Sequence, residues 1–233
     1  MKKGVYQSYS LSGTELSILL SAKNAESVRC FDFLMEKEND EAYYYSLESM
    51  VRRGIITVDA DGAKPSSVYD EMIGHMVSCG TTAVLRTSQD EFSDYCVYEK
   101  DGKILAVALS SKKKKNLLLT YMTQEEFDRD FIPDGFIPAE LQDTPLPEEE
   151  EDSDFCHNML RLLKSGDEIH DVRFLFGADI TDGAGNGRSL IAVHMPRGYY
   201  LLDFKGDSLE IEVYSHEGLM CKLQEAVKGE EKL

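Results

Sequence analysis

The chain carries one order of elements twice. Residues 66–131 show the pattern of a helix, four strands and a helix, and residues 154–228 show it again. Such an internal repeat restricts the fold to arrangements built around a pseudo-twofold axis. The expectation is an α+β fold, in which two αββββα halves form a largely antiparallel central sheet with flanking helices. The corresponding divisions are 1–65 (an N-terminal helical unit), 66–132 (the first half), 133–153 (a linker) and 154–233 (the second half). One compact domain is expected to hold them all.

In the first half, residues 66–79 place Val68, Met72, Ile73, Met76 and Val77 at helical spacing. Residues 81–87, 95–99, 104–109 and 117–121 are β-rich runs. Lys100-Asp101-Gly102-Lys103 is a hairpin turn, because Asp-Gly takes the positive φ angles that a two-residue connection requires. Thr123 followed by Glu126 has capping-box spacing, and Pro133 ends the helix that follows. In the second half a helix is expected at 155–164, ended by Gly166. Strands follow at 172–180, 190–195, 199–204 and 209–214, the last alternating cleanly as L-E-I-E-V-Y. Ser215 caps a final helix with Leu219, Met220, Leu223 and Val227 on its apolar side.

The first 65 residues predict helices at 14–25, capped by Thr14 or Ser12, and at 41–53, ended by Gly54. A short strand at 55–58 and a turn at 59–64 complete a winged-helix-like unit. Arg52 and Arg53 are placed to meet phosphate, but Asp32, Glu36, Glu38, Asp40, Glu41, Asp59 and Asp61 surround them. A DNA-binding face gains its free energy from clustered cations, so the expectation is a packing unit without nucleic acid.

The formal net charge of −18 opposes nucleic acid and anionic membranes as partners and favours a basic or neutral protein. The five cysteines (Cys30, Cys79, Cys96, Cys156, Cys221) include no CxxC pair, which points to thiols in a reducing compartment. The N-terminal residues lack the apolar stretch of a signal peptide, and no run approaches the length of a membrane span. A cytoplasmic protein is expected. Between the halves, four prolines precede the acidic run at 148–152, a linker or strap with a solvated face or a docking strip for a basic partner.

No motif names a reaction. The segment from Asp179 and Ile180 through Asp182, Gly183, Gly185, Asn186 and Gly187 to Arg188 superficially suggests a phosphate cradle. It leads into a strand rather than a helix, so no helix N-terminus faces an anion. The calcium-loop spacing is also missing. A flexible hairpin tip, able to grip a protein partner, is the expectation. The five histidines lack HxxxH spacing and there is no GxSxG elbow. Neither catalytic residues nor metal ligands nor cofactors are assigned. Lys112-Lys113-Lys114-Lys115 is a solvated turn, with contact to an anion or an acidic protein as the alternative. At helical spacing one or two of Tyr43, Tyr44 and Tyr45 are expected in the core, with an interface patch as the alternative.

Several segments together resemble the EspG-type chaperones of type VII (ESX) secretion: LESMVRRGIITVDADG, TTAVLRT, YCVYEKDGKILAVALS with LLLTYMTQEEFDRDF, and the final SLIAVHMPRGYYLLDFKGDSLEIEVYSHEGLMCKLQEAV. The resemblance implies a cytosolic, non-catalytic protein that caps an apolar helical surface of a secreted-type partner. It also implies that the 179–188 tip and the 215–228 helix, with Leu219, Met220 and Leu223, are the contact elements. The alternatives are an acidic immunity protein against a basic toxin and an enzyme with an unrecognised pocket.

Overall fold

The computed structural model describes residues 6–25, 28–29, 40–60, 62–87, 94–109, 116–127, 129, 173–195, 198–206 and 208–228. They form a mixed α+β structure with a large antiparallel sheet and few helices. The expected helix at 155–164, the 133–153 segment and the lysine turn at 112–115 lie outside the described residues, as do Cys30, Cys156, His157 and His170. The chain divides into two compact units, one of residues 1–82 with 94–127 and one of residues 83–93 with 128–233.

In the first unit β1 (Ser8–Ser12) leads into α1 (Gly13–Ser21). Ser12 is the cap: the Glu15 amide donates to its Oγ, and its own amide donates to Glu15 Oε2. Both partners of a capping box are therefore in place. Then come α2 (Asp40–Arg52), the hairpin β2 (Ile56–Asp59) and β3 (Gly62–Pro65), and α3 (Ser67–Ser78). Of the four β-rich runs expected in the first half, the first is β4 (Thr81–Thr87) and the other three are β5 (Asp94–Lys100), β6 (Lys103–Leu109) and β7 (Asn116–Thr123). The last three, with β1, pair in the order β1-β7-β6-β5. Asp101 and Gly102 take φ angles of 53° and 72°, so the Asp-Gly turn adopts the conformation its sequence prefers. Thr123 and Glu126 form the second capping box, opening α4 (Gln124–Glu126). Leu11, Leu16, Leu19, Met50, Ile73 and Leu105 are fully buried.

His75 on α3 is buried among these elements. Its Nε2 lies 2.9 Å from the Tyr98 carbonyl and so carries the proton of that hydrogen bond. Its ring meets Tyr121 edge-on at 5.4 Å. Burial pushes its pKa below the ordinary 6.5, although the Tyr98 carbonyl acts in the opposite sense. The neutral ring is thus the form that the folded state favours. Its contribution to stability should be complete above pH about 6.5 and should decline as the pH falls toward the folded value. Urea unfolding midpoints at pH 8 and pH 5.5 check this. A His75→Gln variant is expected to lose part of the wild-type difference between the two pH values.

The second unit contains most of β4, from Ala83 onward, followed by β8 (Arg173–Thr181), β9 (Gly187–Met195), β10 (Gly198–Lys205), β11 (Ser208–Val213) and α5 (His216–Lys228). Their order is β4-β8-β9-β10-β11. Registers alternate the side chains between two unlike faces. Ile191, Val193, Tyr200, Leu202, Phe204, Leu209 and Ile211 form an apolar cluster on one face. Leu190, Ala192, Leu201 and Asp203 belong to the other. Helix α5 buries Leu219, Leu223 and Val227. Ser215 starts it, its Oγ accepting from the Gly218 amide at 3.0 Å.

Candidate functional site

Three surfaces come from the described residues, and the first is the connection between β8 and β9. A two-strand connection rich in glycine has no intrinsic shape, so its order must come from side chains. Here Asp182 supplies it. Its Oδ1 accepts from the amides of Ala184 at 2.9 Å and Asn186 at 2.8 Å, and its Oδ2 accepts from Asn186 Nδ2 at 2.8 Å. The Asp182 amide and carbonyl pair with the Asn186 carbonyl and the Gly185 amide. These bonds, led by the one from the Asn186 side chain, hold the Asp182 carboxyl below its usual range. Gly185 takes a φ of 88°, which explains a glycine at that position. The tip is exposed, as expected, but it is organised rather than shapeless.

Both aspartates of the 179–188 segment have internal partners. Asp182 orders the tip, and Asp179 accepts from Arg86 at 2.7 Å and from the Ser189 hydroxyl at 2.7 Å. Ile180 is buried in β8. Among the described residues no group of three or more His, Cys, Asp or Glu side chains is arranged to hold a metal ion.

Arg188, at the end of the tip, leads to the second feature. It donates two parallel hydrogen bonds to Asp203, Nε to Oδ1 at 2.9 Å and Nη2 to Oδ2 at 2.8 Å. Asp203 is 1% exposed. Lys222 from α5 reaches the same carboxylate at 3.0 Å, Glu212 at 3.1 Å and Glu210 at 3.4 Å. Lys205 stands 3.6 Å from Asp203, and Glu225 stands 3.9 Å from Arg188. Burial by itself would raise the Asp203 carboxyl, but the hydrogen bonds from Arg188 and Lys222 outweigh it and hold the group below its usual range. The same contacts raise Lys222 above its ordinary value despite its burial. The cluster joins α5 to the sheet through charge, beside the apolar contacts of Leu219 and Leu223. Those two side chains point into the unit, so a partner approaching α5 meets other residues, such as the partly exposed Met220.

The third surface lies on α2, in the first unit. A helix turns 100° per residue, so three consecutive tyrosines cannot share one face. Met50 is the fully buried residue of α2, with Ala42, Ser46 and Ser49 partly covered on the same side. Tyr43, Tyr44 and Tyr45 are 42%, 70% and 62% exposed, which corrects the expectation that one or two of them lie in the core. The rings of Tyr43 and Tyr44 meet edge to face at 6.3 Å. Val51, one heptad from Tyr44, is exposed as well. At 100° per residue Tyr44 and Val51 share one direction, and the exposed Glu41 and Glu48 fall between them and Tyr45. The apolar spacing Tyr43–Leu47–Met50 points Tyr43 toward the covered side, and Tyr43 is the least exposed of the three, whereas Tyr44 and Tyr45 fall outside that spacing.

The arginines weighed for phosphate contact are also placed. Arg53 donates from Nη1 to the buried Glu15 at 2.7 Å and from Nη2 to the Ser10 carbonyl. Arg52 is exposed and lies 3.4 Å from Glu48 along the helix. No family model matches the chain, and no curated protein matches its sequence.

Proposed function

We propose that the protein is a non-catalytic binding protein that caps an apolar helical surface of a partner through the exposed side of α2, centred on Tyr44 and Val51 with Tyr43 and Tyr45 to either side. The observation that carries this reading is the exposure of Tyr43, Tyr44, Tyr45 and Val51 on one helix. Tyrosines are enriched at protein interfaces because they present a large, stiff apolar body with a polar tip. A helix that offers them to solvent matches a second helix laid across it. The net charge of −18 speeds encounter with a less acidic partner.

The resemblance to EspG-type chaperones supports the same direction: a cytoplasmic protein whose partner is a helical secretion substrate, with neither nucleic acid nor membrane. The doubled αββββα order, with its pseudo-twofold and winged-helix-like start, belongs to this proposal. The exposed tip at 182–187, ordered in advance by Asp182, supports a secondary contact on the second unit. Pre-ordering reduces the entropy lost on binding.

Capture of partners from a native lysate, washed at low and high salt, tests the reading. The triple variant Tyr43→Ser, Tyr44→Ser, Tyr45→Ser should keep the wild-type melting temperature, because those rings are exposed. It should retain a helical partner about tenfold less well, a loss typical of interface aromatics. Equal retention by both proteins would reject the α2 surface. A basic protein released by salt would favour the acidic immunity reading, in which charge carries the affinity.

A further inference from the structure

The strand order of the second unit ends at β11. Among the described residues its strand neighbour is β10, in an uninterrupted antiparallel register from Tyr200↔Val213 to Lys205↔Ser208. Two residues connect Lys205 to Ser208, so these two close the hairpin as a hydrogen-bonded pair. Hydrogen-bonded and non-bonded pairs then alternate. Ser208, Glu210 and Glu212 direct their main-chain groups to β10, and the Tyr214 amide continues the series by donating to the Tyr199 carbonyl at 2.9 Å. Leu209, Ile211 and Val213 therefore direct their amides and carbonyls away from the sheet. Such an edge is commonly blunted by proline, a bulge, a covering element or charged side chains, lysine above all. Here the charges are Glu210 and Glu212, which turn away an acidic strand but not a cationic one. The sequence SLEIEV contains neither proline nor lysine, and its register has no bulge.

The side chains specify what the edge can take. Leu209, Ile211 and Val213 are partly buried and extend the apolar face of the sheet. Glu210 and Glu212 stand on the other face and remain 56% and 49% exposed even with Lys222 beside them. Around them the carboxylates of Asp203, Glu210, Glu212 and Glu225 meet the cations Arg188, Lys205 and Lys222, which leaves one negative charge in excess. A strand added antiparallel to β11 places its own side chains opposite Glu210 and Glu212 at non-hydrogen-bonded positions, where cross-strand neighbours are closest. A second copy of β11 fits poorly. Pairing centred on Ile211 sets Glu210 against Glu212, and shifting by one step either way sets Glu210 or Glu212 against itself. Like charges directly opposite are destabilising.

We propose that β11 is an addition edge for an extended segment of a partner protein in which apolar residues alternate with lysine or arginine. The segment lays its apolar residues beside Leu209, Ile211 and Val213 and its cations beside Glu210 and Glu212. Main-chain hydrogen bonds supply affinity and the alternating side chains supply selectivity. The inference concerns the second unit and an extended segment, and it stands independently of the helical surface on α2.

The test uses the full chain and a fluorescent peptide alternating valine and lysine, with binding read by anisotropy. In the proposed geometry the valine amides face β11 and the lysine amides face away. Methylating the valine nitrogens should weaken binding by about tenfold or more, roughly the value of one or two lost hydrogen bonds. Methylating the lysine nitrogens should leave it within about twofold, since no hydrogen bond to β11 is lost. A valine–glutamate peptide should not bind. Ile211→Pro, which removes an outward amide and no bond to β10 but also trims an apolar side chain, should keep a cooperative melt and lose the peptide, whereas Ile211→Val, which keeps the amide, should retain it. The proposal is overturned if the lysine peptide does not bind, if both methylated forms bind alike, or if the glutamate peptide binds equally. Self-association that Ile211→Pro abolishes would also overturn it, by making a second copy the occupant. The triple tyrosine variant should bind the peptide as the wild type does, so the two surfaces succeed or fail separately.

Discussion

Asp203→Ala is expected to destabilise the protein by about 3–5 kcal/mol, the range for removing one partner of a buried ion pair. The carboxylate is 1% exposed and receives both the paired bonds of Arg188 and the bond of Lys222. Without it, two largely buried cations retain only half-exposed glutamates as counter-charges. The expected result is a lower unfolding midpoint in urea. Glu225→Ala removes an exposed carboxylate 3.9 Å from Arg188, and its effect should stay within about 0.5 kcal/mol, as for surface pairs. Acid titration gives a second readout. The carboxyl of Asp203 titrates below its unfolded value, so its contribution is complete above the ordinary carboxylate range and is lost as the pH falls through the depressed folded value. The wild type should show that acid loss and the alanine variant should lack it. Equal stability of Asp203→Ala and wild type would mean that the cluster does not hold α5 to the sheet.

The second large effect is expected in the first unit. Glu15 is 4% exposed and accepts from the Ser12 amide and from Arg53. Arg53→Ala removes the one cation that pairs with that carboxylate among the described residues, and also the donor to the Ser10 carbonyl. The cost should be about 2–3 kcal/mol, the penalty for a buried charge left with one neutral hydrogen bond. Adding Glu15→Gln removes the uncompensated charge, so the double variant should recover part of the loss. Thermal melts of the three variants decide the point. A double variant no more stable than Arg53→Ala would show that packing of the arginine stem, rather than its charge, is what matters.

Those two clusters show where sequence reasoning reaches and where it stops. Local chemistry was legible. Asp101-Gly102 and the Thr123–Glu126 capping box formed as expected. The alternation of Leu209, Ile211 and Val213 correctly placed β11 on two unlike faces. Ser12, one of two candidate caps, is the one with Glu15 three residues on. Long-range pairing was not legible. Ser8–Ser12 is short and serine-rich, and it becomes a strand by pairing with β7, which its own sequence does not announce. The β3 strand, with a glycine and a proline among its residues, exists because β2 lies opposite it. Asp203 interrupts the apolar run YYLLDF, and a charge there needs a partner, a signal that went unused. Only the register, with Asp203 opposite Leu190 and Lys205 opposite Arg188, places Arg188 diagonally within reach. Arg188 thus moved from candidate partner contact to internal support, and the tyrosines of α2 moved from candidate core to candidate surface.

Amide hydrogen exchange with and without the captured partner tests whether α2 is the partner-binding helix. Exchange along Asp40–Arg52 should slow when the partner is bound, with the signal lost in the triple tyrosine variant. Unchanged exchange along α2 in a demonstrated complex would contradict the account, because the partner would then sit elsewhere.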